Sequence, residues 1–572
     1  MGERLNILIR RFADYTNQEQ YNKRIQKILS IGINDMTESE HDIALEDTDR
    51  IKGHAALVNN VKAAVALAGA VRSTLGPRGL DKMLVEEGGT TIVTNDGVTV
   101  LENAKVEHPT AQLLISTSSS QDKSARDGTT TTVLLMAEIL QNSLELVRMG
   151  IHPTVIINGY RIALEESILE LSNISKEISE DISEYAIVST SLAGKIESSV
   201  TSMLTNYAIE AANILSSEEG GEDLERLRVK RLQVGNGGIK DSKLIHGLVL
   251  PKSRLDLETL AFSNGGKIAI IDGGLENKKI DMDASIEITS IGSLKEFHNR
   301  DLEKIKILVE HLKSFGIDLL IVRDGVADEA ITPLKNAGIT TYRRLERRDL
   351  ELLSKMTGAN PVRNPLNLKF EDIGNYAKRS EKLISDVKHT TIEGDIGGGM
   401  TFVIRGSSPE IRNEMKRAFD DALGVAHRLK RNPSILPGGG ATHIHLARHL
   451  RIFATSQSGR EQLAIEAYAA ALEIIPRVLA ENCGMDPIDA ILSLSAAQNN
   501  ELEDGPWIGL DVQSGKNINM MNAGILDPLF VAKHALTGAT EAAINVLRID
   551  DVLWAKQDAQ TPDWQNELNE ED

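Results

Sequence analysis

One cysteine, Cys483, stands among 572 residues. An intrachain disulfide framework is therefore excluded, and the thiol content fits a reducing compartment. Long apolar runs are scarce as well: none is read as approaching the roughly 20 residues that span a bilayer. The opening segment MGERLNILIRRFADY is broken by charge and has no small-residue cleavage site. No membrane partner and no secretory leader are expected, and the cytoplasm is the default location. Positive charge is the minority: 63 Lys and Arg face 83 Asp and Glu, a formal net charge of −20. Phosphate backbones are repelled by such a field except at a local basic patch, so no nucleic-acid partner is expected. Common phosphate signatures are missing too. No G-x-G-x-x-G occurs, and the nearest approach to a P-loop, GLDVQSGKN at 509–517, has one residue too many and Asn in place of Ser or Thr.

What is present is apolar content, 41% of the chain, and a length beyond what one core usually serves. Two or three domains are expected. Residues 3–30 read as a helix with Leu5, Leu8, Ile9 and Phe12 near one face, followed by an acidic loop. Residues 54–76, rich in Ala, Val and Leu, read as a helix buried on most sides that stops at Gly76-Pro77. Residues 90–101, TTIVTNDGVTVL, read as a β-hairpin turning at Asn95-Asp96-Gly97. Helices are predicted over 129–149 and, entered through Pro153, over 152–172. From about 235 the texture changes. GKIAIIDGG and DLLIVRDGV are short apolar strands, and Ile305, Leu308, Val309 and Leu312 mark a helix between them. That is a βαβ pattern and points to a middle α/β domain. After about 427 the chain reads as helical again. It closes on an acidic tail with the composition of a disordered segment. No internal repeat is found.

Three stretches could hold phosphate. STLGPRG at 73–79 is a Gly- and Pro-shaped turn after a helix. RDGTTTT puts Asp127 and Gly128 before a helix whose first turn holds Thr129, Thr130 and Thr131. PGGGAT at 437–442 is a third turn before a helix. Helix N-termini present free N–H groups and a positive dipole end to anions. The plain reading of each is a helix cap. Carboxylates are the second clue: Asp96 in a turn, Asp127 at a helix start, and Asp420 and Asp421 on a helix. Phosphoryl transfer to water needs Mg2+ on hard oxygen ligands and a group to orient the water. Spacing alone leaves open whether these aspartates converge. HIHLARH places His445 and His449 at i, i+4, with His443 beside them. Such a pair can bind zinc. It has no carboxylate near it in sequence and no HExxH pattern, so a metal site there is not expected. Cys483, without a His partner, reads as a small buried residue.

The segments STLGPRGLDKMLV, TNDGVTVL, EHPTAQLL, DGTTTTVLLMAEIL, GIHPTVIINGYRIA, FDDALGVA, PGGGA, GILDP and AAINVLRIDDVLWAK occur in that order. In this the chain resembles the group II chaperonins, the archaeal thermosome and its eukaryotic cytosolic relatives, from about residue 50 to about 558. The resemblance implies a multidomain α+β fold: a mainly α-helical equatorial domain, a small α/β intermediate hinge domain, and an α/β apical domain with a helical lid protrusion. Carried onto this chain, the equatorial domain is 1–170 with 428–572, the intermediate 171–235 with 393–427, and the apical 236–392 with its lid near 275–300. Residues 1–50 would be an N-terminal extension and 559–572 the acidic tail.

The same resemblance implies an ATPase that uses Mg2+. Asp127 would hold the metal, with Gly128, Thr129, Thr130 and Thr131 cradling phosphate oxygens. Thr74, Leu75, Gly76 and Pro77 would wrap the nucleotide from the other side. Asp96 and Asp421 would orient the attacking water, and Lys195 in SLAGKIESS would lie near the terminal phosphate. Gly439 would border the nucleoside and Asp527 reach the ribose. The implied partners are non-native protein clients and related subunits in a homo- or hetero-oligomeric double ring, with no separate lid protein. Ile280, Met282, Ile286, Ile288, Ile291, Leu294 and Phe297 would give the lid an amphipathic character. Several positions depart from the family pattern. Arg126 stands where Gly is usual, Asp527 where Glu is usual, and WQNELNEED replaces a Gly- and Met-rich tail. They fit a divergent archaeal paralogue. They also leave open an alternative, a ring subunit with a structural or client-binding role and weak or no turnover.

Overall fold

The computed structural model describes residues 48–85, 89, 91–178, 184–216, 228–275, 291–384, 387–396, 398–501 and 504–555. The expected helix at 3–30, most of the expected lid segment and the acidic tail lie outside the described residues. One small unit is built on an antiparallel strand pair, Thr48–Lys52 with Asp551–Ala555. Residues 60–548 form the other, larger unit.

Within the larger unit, one body is helical. Its centre is the helix Thr129–Arg148, which buries Val133, Leu134, Leu135, Met136, Ile139 and Leu140. Apolar side chains on successive positions suit a helix enclosed on nearly every side. The helices Glu461–Leu472 and Leu529–Leu547 pack against it. Two buried tyrosines of this core have partners: the Tyr160 hydroxyl donates to the Ile139 carbonyl at 3.0 Å, and Tyr468 Oη lies 2.8 Å from Thr540 Oγ1.

A second body is a three-stranded sheet with Met400–Arg405 at its centre. Val229–Val234 runs parallel to that strand and Lys243–His246 antiparallel. The helices Ser198–Ser216 and Pro409–Leu429 share a core with the sheet. Val200, Leu204, Ala208 and Ala212 from one meet Met415, Ala418, Phe419 and Ala422 from the other. Each set recurs at three to four residues, so each helix buries one stripe and leaves the opposite face available. The Phe402 and Phe419 rings stack at 4.1 Å.

A third body carries a seven-stranded mixed sheet. Gly266–Ile271, Leu319–Val322 and Thr340–Tyr342 run parallel. Gly374–Ile384, Val387–Gly394 and Leu248–Leu250 continue the sheet antiparallel. Ile268, Ile270, Leu319 and Ile321 enter one core, and Ala269, Ile271, Leu320 and Val322 the other. Strands covered on both faces have to be apolar at every position, which is why these runs lack alternation. The helix Ile291–Ser314 follows Gly266–Ile271 and buries Val309 and Leu312, with Ile305 and Leu308 half-buried. The βαβ expectation holds, and the fold is mixed helix and sheet.

Three expectations are corrected. Residues 90–101 are not a hairpin. Thr91–Thr94 pairs with Lys82–Val85 instead, and a helix, Gly97–Asn103, begins straight after the turn. Asp96 is its N-cap and accepts from Thr99 N at 3.0 Å and Thr99 Oγ1 at 2.6 Å. A cap that satisfies a helix start outweighs the β-branched character of Val98, Thr99 and Val100. The helix Gly53–Arg72 is buried on one stripe only: Val61, Ala64, Leu67, Ala68 and Val71 are inside, while Lys62, Val65, Ala66, Gly69 and Ala70 are exposed. Contrary to the sequence reading, by length and composition this helix is long and apolar enough to cross a bilayer; it is the one such helix among the described residues.

The stacked pair in the three-stranded body yields a stability prediction. Phe402→Ala is expected to cost about 3–5 kcal/mol, a typical figure for truncating a buried aromatic. It should appear as a lower midpoint of thermal denaturation by circular dichroism, and an unchanged midpoint would contradict the packing described.

Candidate functional site

The segment between two helices of the helical body sets the geometry. Pro109–Ala125 ends at Arg126, which adopts the left-handed conformation with φ 61 and donates its N–H to the Asp122 carbonyl. Asp127 follows, then Gly128 with φ 77, the N-cap of Thr129–Arg148. Gly128 has no room for more: a Cβ there would lie 2.9 Å from Val531 Cγ1. Gln121 Nε2 donates to the Asp127 carbonyl at 2.8 Å and fixes the loop. No side chain caps the helix. Capping by Asp127 or the threonines, the plain reading of DGTT, is thus not what the chain does. The first-turn N–H groups of Thr129, Thr130 and Thr131 are left to an anion or solvent.

Asp96 lies against this turn. A Cβ on Gly97 would be 2.7 Å from Thr130 Oγ1. Lys195 comes from a turn after the helix Glu184–Ser191, and its Nζ donates to Asp421 Oδ2 at 2.8 Å and lies 3.7 Å from Asp127 Oδ1. Asp421 sits on the Pro409–Leu429 helix, on the face away from its sheet. Four segments distant in sequence therefore meet at Asp96, Asp127, Lys195 and Asp421. The side chains of Asp127, Lys195 and Asp421 expose 26, 20 and 15%, so the cluster is recessed but reachable.

The electrostatics follow from that crowding. Burial pushes the Asp421 carboxyl up to about 8 against the opposing pull of Lys195, with Asp96 and Asp122 adding repulsion. Burial works against the Lys195 charge, but Asp421 and Asp127 outweigh it and hold the ammonium above the usual lysine range. Glu414, seven residues before Asp421 on the same helix, is raised by burial and by the Asp96 charge, against Arg417. It was not singled out from sequence, although the i, i+7 spacing to Asp421 marks the shared face. Asp420 is not part of the cluster: it accepts from Arg231 Nε at 2.5 Å.

The remaining sequence candidates lie in two turns and a short strand. Thr74 Oγ1 donates to the Val71 carbonyl, and the turn through Leu75, Gly76 and Pro77 closes with Gly79 N on the Gly76 carbonyl. That turn touches the lysine loop: a Cβ on Gly194 would lie 2.6 Å from the Gly76 carbonyl oxygen. Gly439 and Gly440 lead into the helix Ala441–Ala454, which again has no side-chain cap. Asp527 lies opposite Leu436 in the antiparallel pair beside that turn. Burial pushes its carboxyl up to about 7, and the Asp127 charge adds to the rise.

Two other sequence features resolve differently. His445 Nε2 pairs with Glu170 at 2.7 Å and His449 Nε2 with Glu166 at 2.7 Å. The carboxylates missing near them in sequence come from the helix Pro153–Ile174 and tie two helices together. Among the described residues no group of three His, Cys, Asp or Glu is arranged to hold a metal ion. Cys483 is half-buried rather than enclosed, and burial pushes its thiol up, away from a reactive thiolate.

Comparison with known proteins adds the following. The profile of the TCP-1/cpn60 chaperonin family matches residues 67–557. The chain is 39% identical over 516 residues to the thermosome subunit of Methanocaldococcus jannaschii, covering 90% of this chain and 94% of that protein. It is 37% identical over 515 residues to the thermosome subunit alpha of Thermoplasma acidophilum, covering 90 and 94%. Against the thermosome subunit beta of Archaeoglobus fulgidus the figure is 36% over 520 residues, covering 90 and 94%.

Asp527 gives a test of the site's electrostatics. An unfolded chain ionises it near 3.8 and the folded chain near 7, so folding is favoured below the lower value and loses stability as pH rises through that window. Asp527→Asn is expected to match the parent at about pH 4 and to exceed it in thermal midpoint at about pH 8. Equal midpoints at both pH values would show that the carboxyl is not held near neutrality.

Proposed function

The chain belongs to the TCP-1/cpn60 chaperonin family, on its group II branch, and on that premise we propose that it is an ATP-dependent subunit of a double-ring folding chamber. It binds non-native proteins and couples Mg-ATP hydrolysis to closure of the chamber. The observation that carries this reading is Lys195, whose ammonium joins Asp421 on one body to Asp127 on another.

The donor set fits the group it would hold. Mg2+ takes one or two carboxylates and completes its shell with substrate phosphates and water. Asp127 alone supplies that carboxylate. Bound there, Mg2+ neutralises charge on the phosphates. Thr129, Thr130 and Thr131 direct uncapped N–H groups and hydroxyls at the phosphate oxygens. Gly128 lets those oxygens approach the backbone, and Thr74, Leu75, Gly76 and Pro77 close the opposite side. Asp96 and Asp421 orient the attacking water, and Lys195 faces the terminal phosphate while keeping Asp421 aligned. Gly439 borders the nucleoside. Asp527, held near neutrality, can donate or accept at a ribose hydroxyl.

The water site is split between bodies, and that split is the coupling. Asp421 stands on a helix packed against the three-stranded sheet, while Asp127 stands at the start of a helix in the helical body. Hydrolysis waits until that helix lies on the phosphate loop, so chemistry and domain motion share one step. The domain layout we propose is equatorial 1–170 with 428–572, intermediate 171–235 with 393–427, and apical 236–392. The lid near 275–300 closes the chamber without a separate cap protein. The subunit works in the cytoplasm, with related copies in the ring.

Asp421→Ala is expected to bind ATP about as tightly as the parent and to lose turnover by roughly 100-fold or more. Phosphate release and equilibrium nucleotide binding, measured side by side, decide it. Turnover at the parental rate would overturn the assignment of the water site. Chelating magnesium should abolish phosphate release in the parent, and electron microscopy of the purified protein should show stacked rings.

A further inference from the structure

Resting on that reading of the site, we infer that Arg126 is a positioning residue for the hydrolytic step: its side chain wedges against the Pro409–Leu429 helix at Gly424 and sets the seat of Asp421. Arg126 and Arg344 are the two non-glycine residues with positive φ among the described residues. The left-handed conformation is unfavourable for a residue with a Cβ, so something in the surroundings has to hold it. What it accomplishes here is direction. The side chain is 5% exposed, unusual for an arginine, and it runs inward to the neighbouring helix.

The contact is close and shape-specific. A Cβ added at Gly424 would lie 2.2 Å from Arg126 Cγ, 2.8 Å from its Cβ and 3.1 Å from its Cδ. These are the near atoms of the arginine stem, which cannot swing aside as its tip could. Residue 424 therefore has to be small because residue 126 is long. The guanidinium is matched by Asp122, with Nη1 at 3.5 Å from Oδ2. One turn further along the helix, Arg428 donates to the Ser124 carbonyl at 2.6 Å and to the Lys123 carbonyl at 3.1 Å.

Asp421, Gly424 and Arg428 follow i, i+3, i+7 spacing and share one face. That face lies on the segment from Lys123 to Asp127 at three points: through Lys195 at one end, the Arg126 stem in the middle and the Arg428 guanidinium at the other. The middle point fixes the spacing between helix and loop. Asp421 is three residues from it. A shift of about 1 Å there would carry Asp421 away from Lys195 and the water site, enough to cost up to roughly 100-fold in rate.

The test uses the full chain, assembled, with Arg126→Gly, Arg126→Ala, Arg126→Lys, Gly424→Ala and the double variant Arg126→Gly/Gly424→Ala. Phosphate release gives kcat and KM for Mg-ATP, and hydrogen exchange without nucleotide reports the amides of 418–428. Arg126→Gly and Arg126→Ala are expected to lower kcat about tenfold with KM within about twofold, while Arg126→Lys, which keeps the stem, retains most of the rate. Gly424→Ala should fall at least as far, and the double variant should recover above it, because the stem it collides with is gone. Exchange at 418–428 should quicken in Arg126→Gly and in Gly424→Ala, and slow again in the double variant. The inference is overturned if Arg126→Gly keeps the parental kcat and exchange, if only KM changes, or if the double variant is no better than Gly424→Ala. If the parent releases no phosphate, or Asp421→Ala is as active as the parent, the proposed function fails instead, and the exchange pattern still decides the wedge.

Discussion

The Lys195 ammonium lies between two carboxylates that reach it from different bodies, Asp127 and Asp421, and the seat of Asp421 depends on that contact. Two acids drawn into one recess repel each other and resist losing water. A single cation between them offsets both costs. Without it, burial and the charges of Asp96 and Asp122 would push the Asp421 carboxyl still further toward its neutral form. The same cation makes the cluster sensitive to position, since an interaction of this kind weakens with distance and strengthens as water leaves. A helix only slightly raised from the loop would draw Asp421 away from Lys195 well before the helix lost its own core.

That core is independent of the site, which is what lets one helix serve two masters. Met415, Ala418, Phe419 and Ala422 anchor the Pro409–Leu429 helix to its sheet, where Phe402 stacks on Phe419. The opposite face carries Glu414, Asp421, Gly424 and Arg428. Apolar burial fixes the helix within its body, and the polar face meets the segment from Lys123 to Asp127 through groups outside that core. An aspartate placed there reports the position of the whole body. Arg126 belongs to the same logic, since its strained backbone aims an aliphatic stem at the one position on that face with no side chain.

Much of this was legible in the residues. The helix Thr129–Arg148 shows itself by apolar residues on nearly every side after a glycine, and the βαβ unit by strands without alternation. Errors arose where two local preferences compete. Val98, Thr99 and Val100 favour a strand, yet Asp96 two residues before them caps a helix and prevails. The helix Gly53–Arg72 is apolar enough to suggest burial all round, yet only one stripe meets a core. Lys195 carried no signal of its own in spacing or composition. Resemblance alone singled it out, and Glu414 and the Arg126 wedge went unremarked.

The amino-acid sequence by itself indicated most of the helices and the βαβ strands, placed glycine-rich turns before two helices, and carried one family's motifs in order. Those properties are local, set by propensity, periodicity and turn chemistry over a few residues. Tertiary structure alone decided which acidic groups work together. Asp420 and Asp421 are neighbours in the chain, but about 100° apart around a helix; one turns to Arg231 and the other to Lys195. It likewise supplied Glu166 and Glu170 to the histidines from a distant helix and seated Arg126 on Gly424. The physical reason is the same in each case: charge and close packing act across space, between groups separated by tens to hundreds of residues, and no pattern along the chain records which of them will meet.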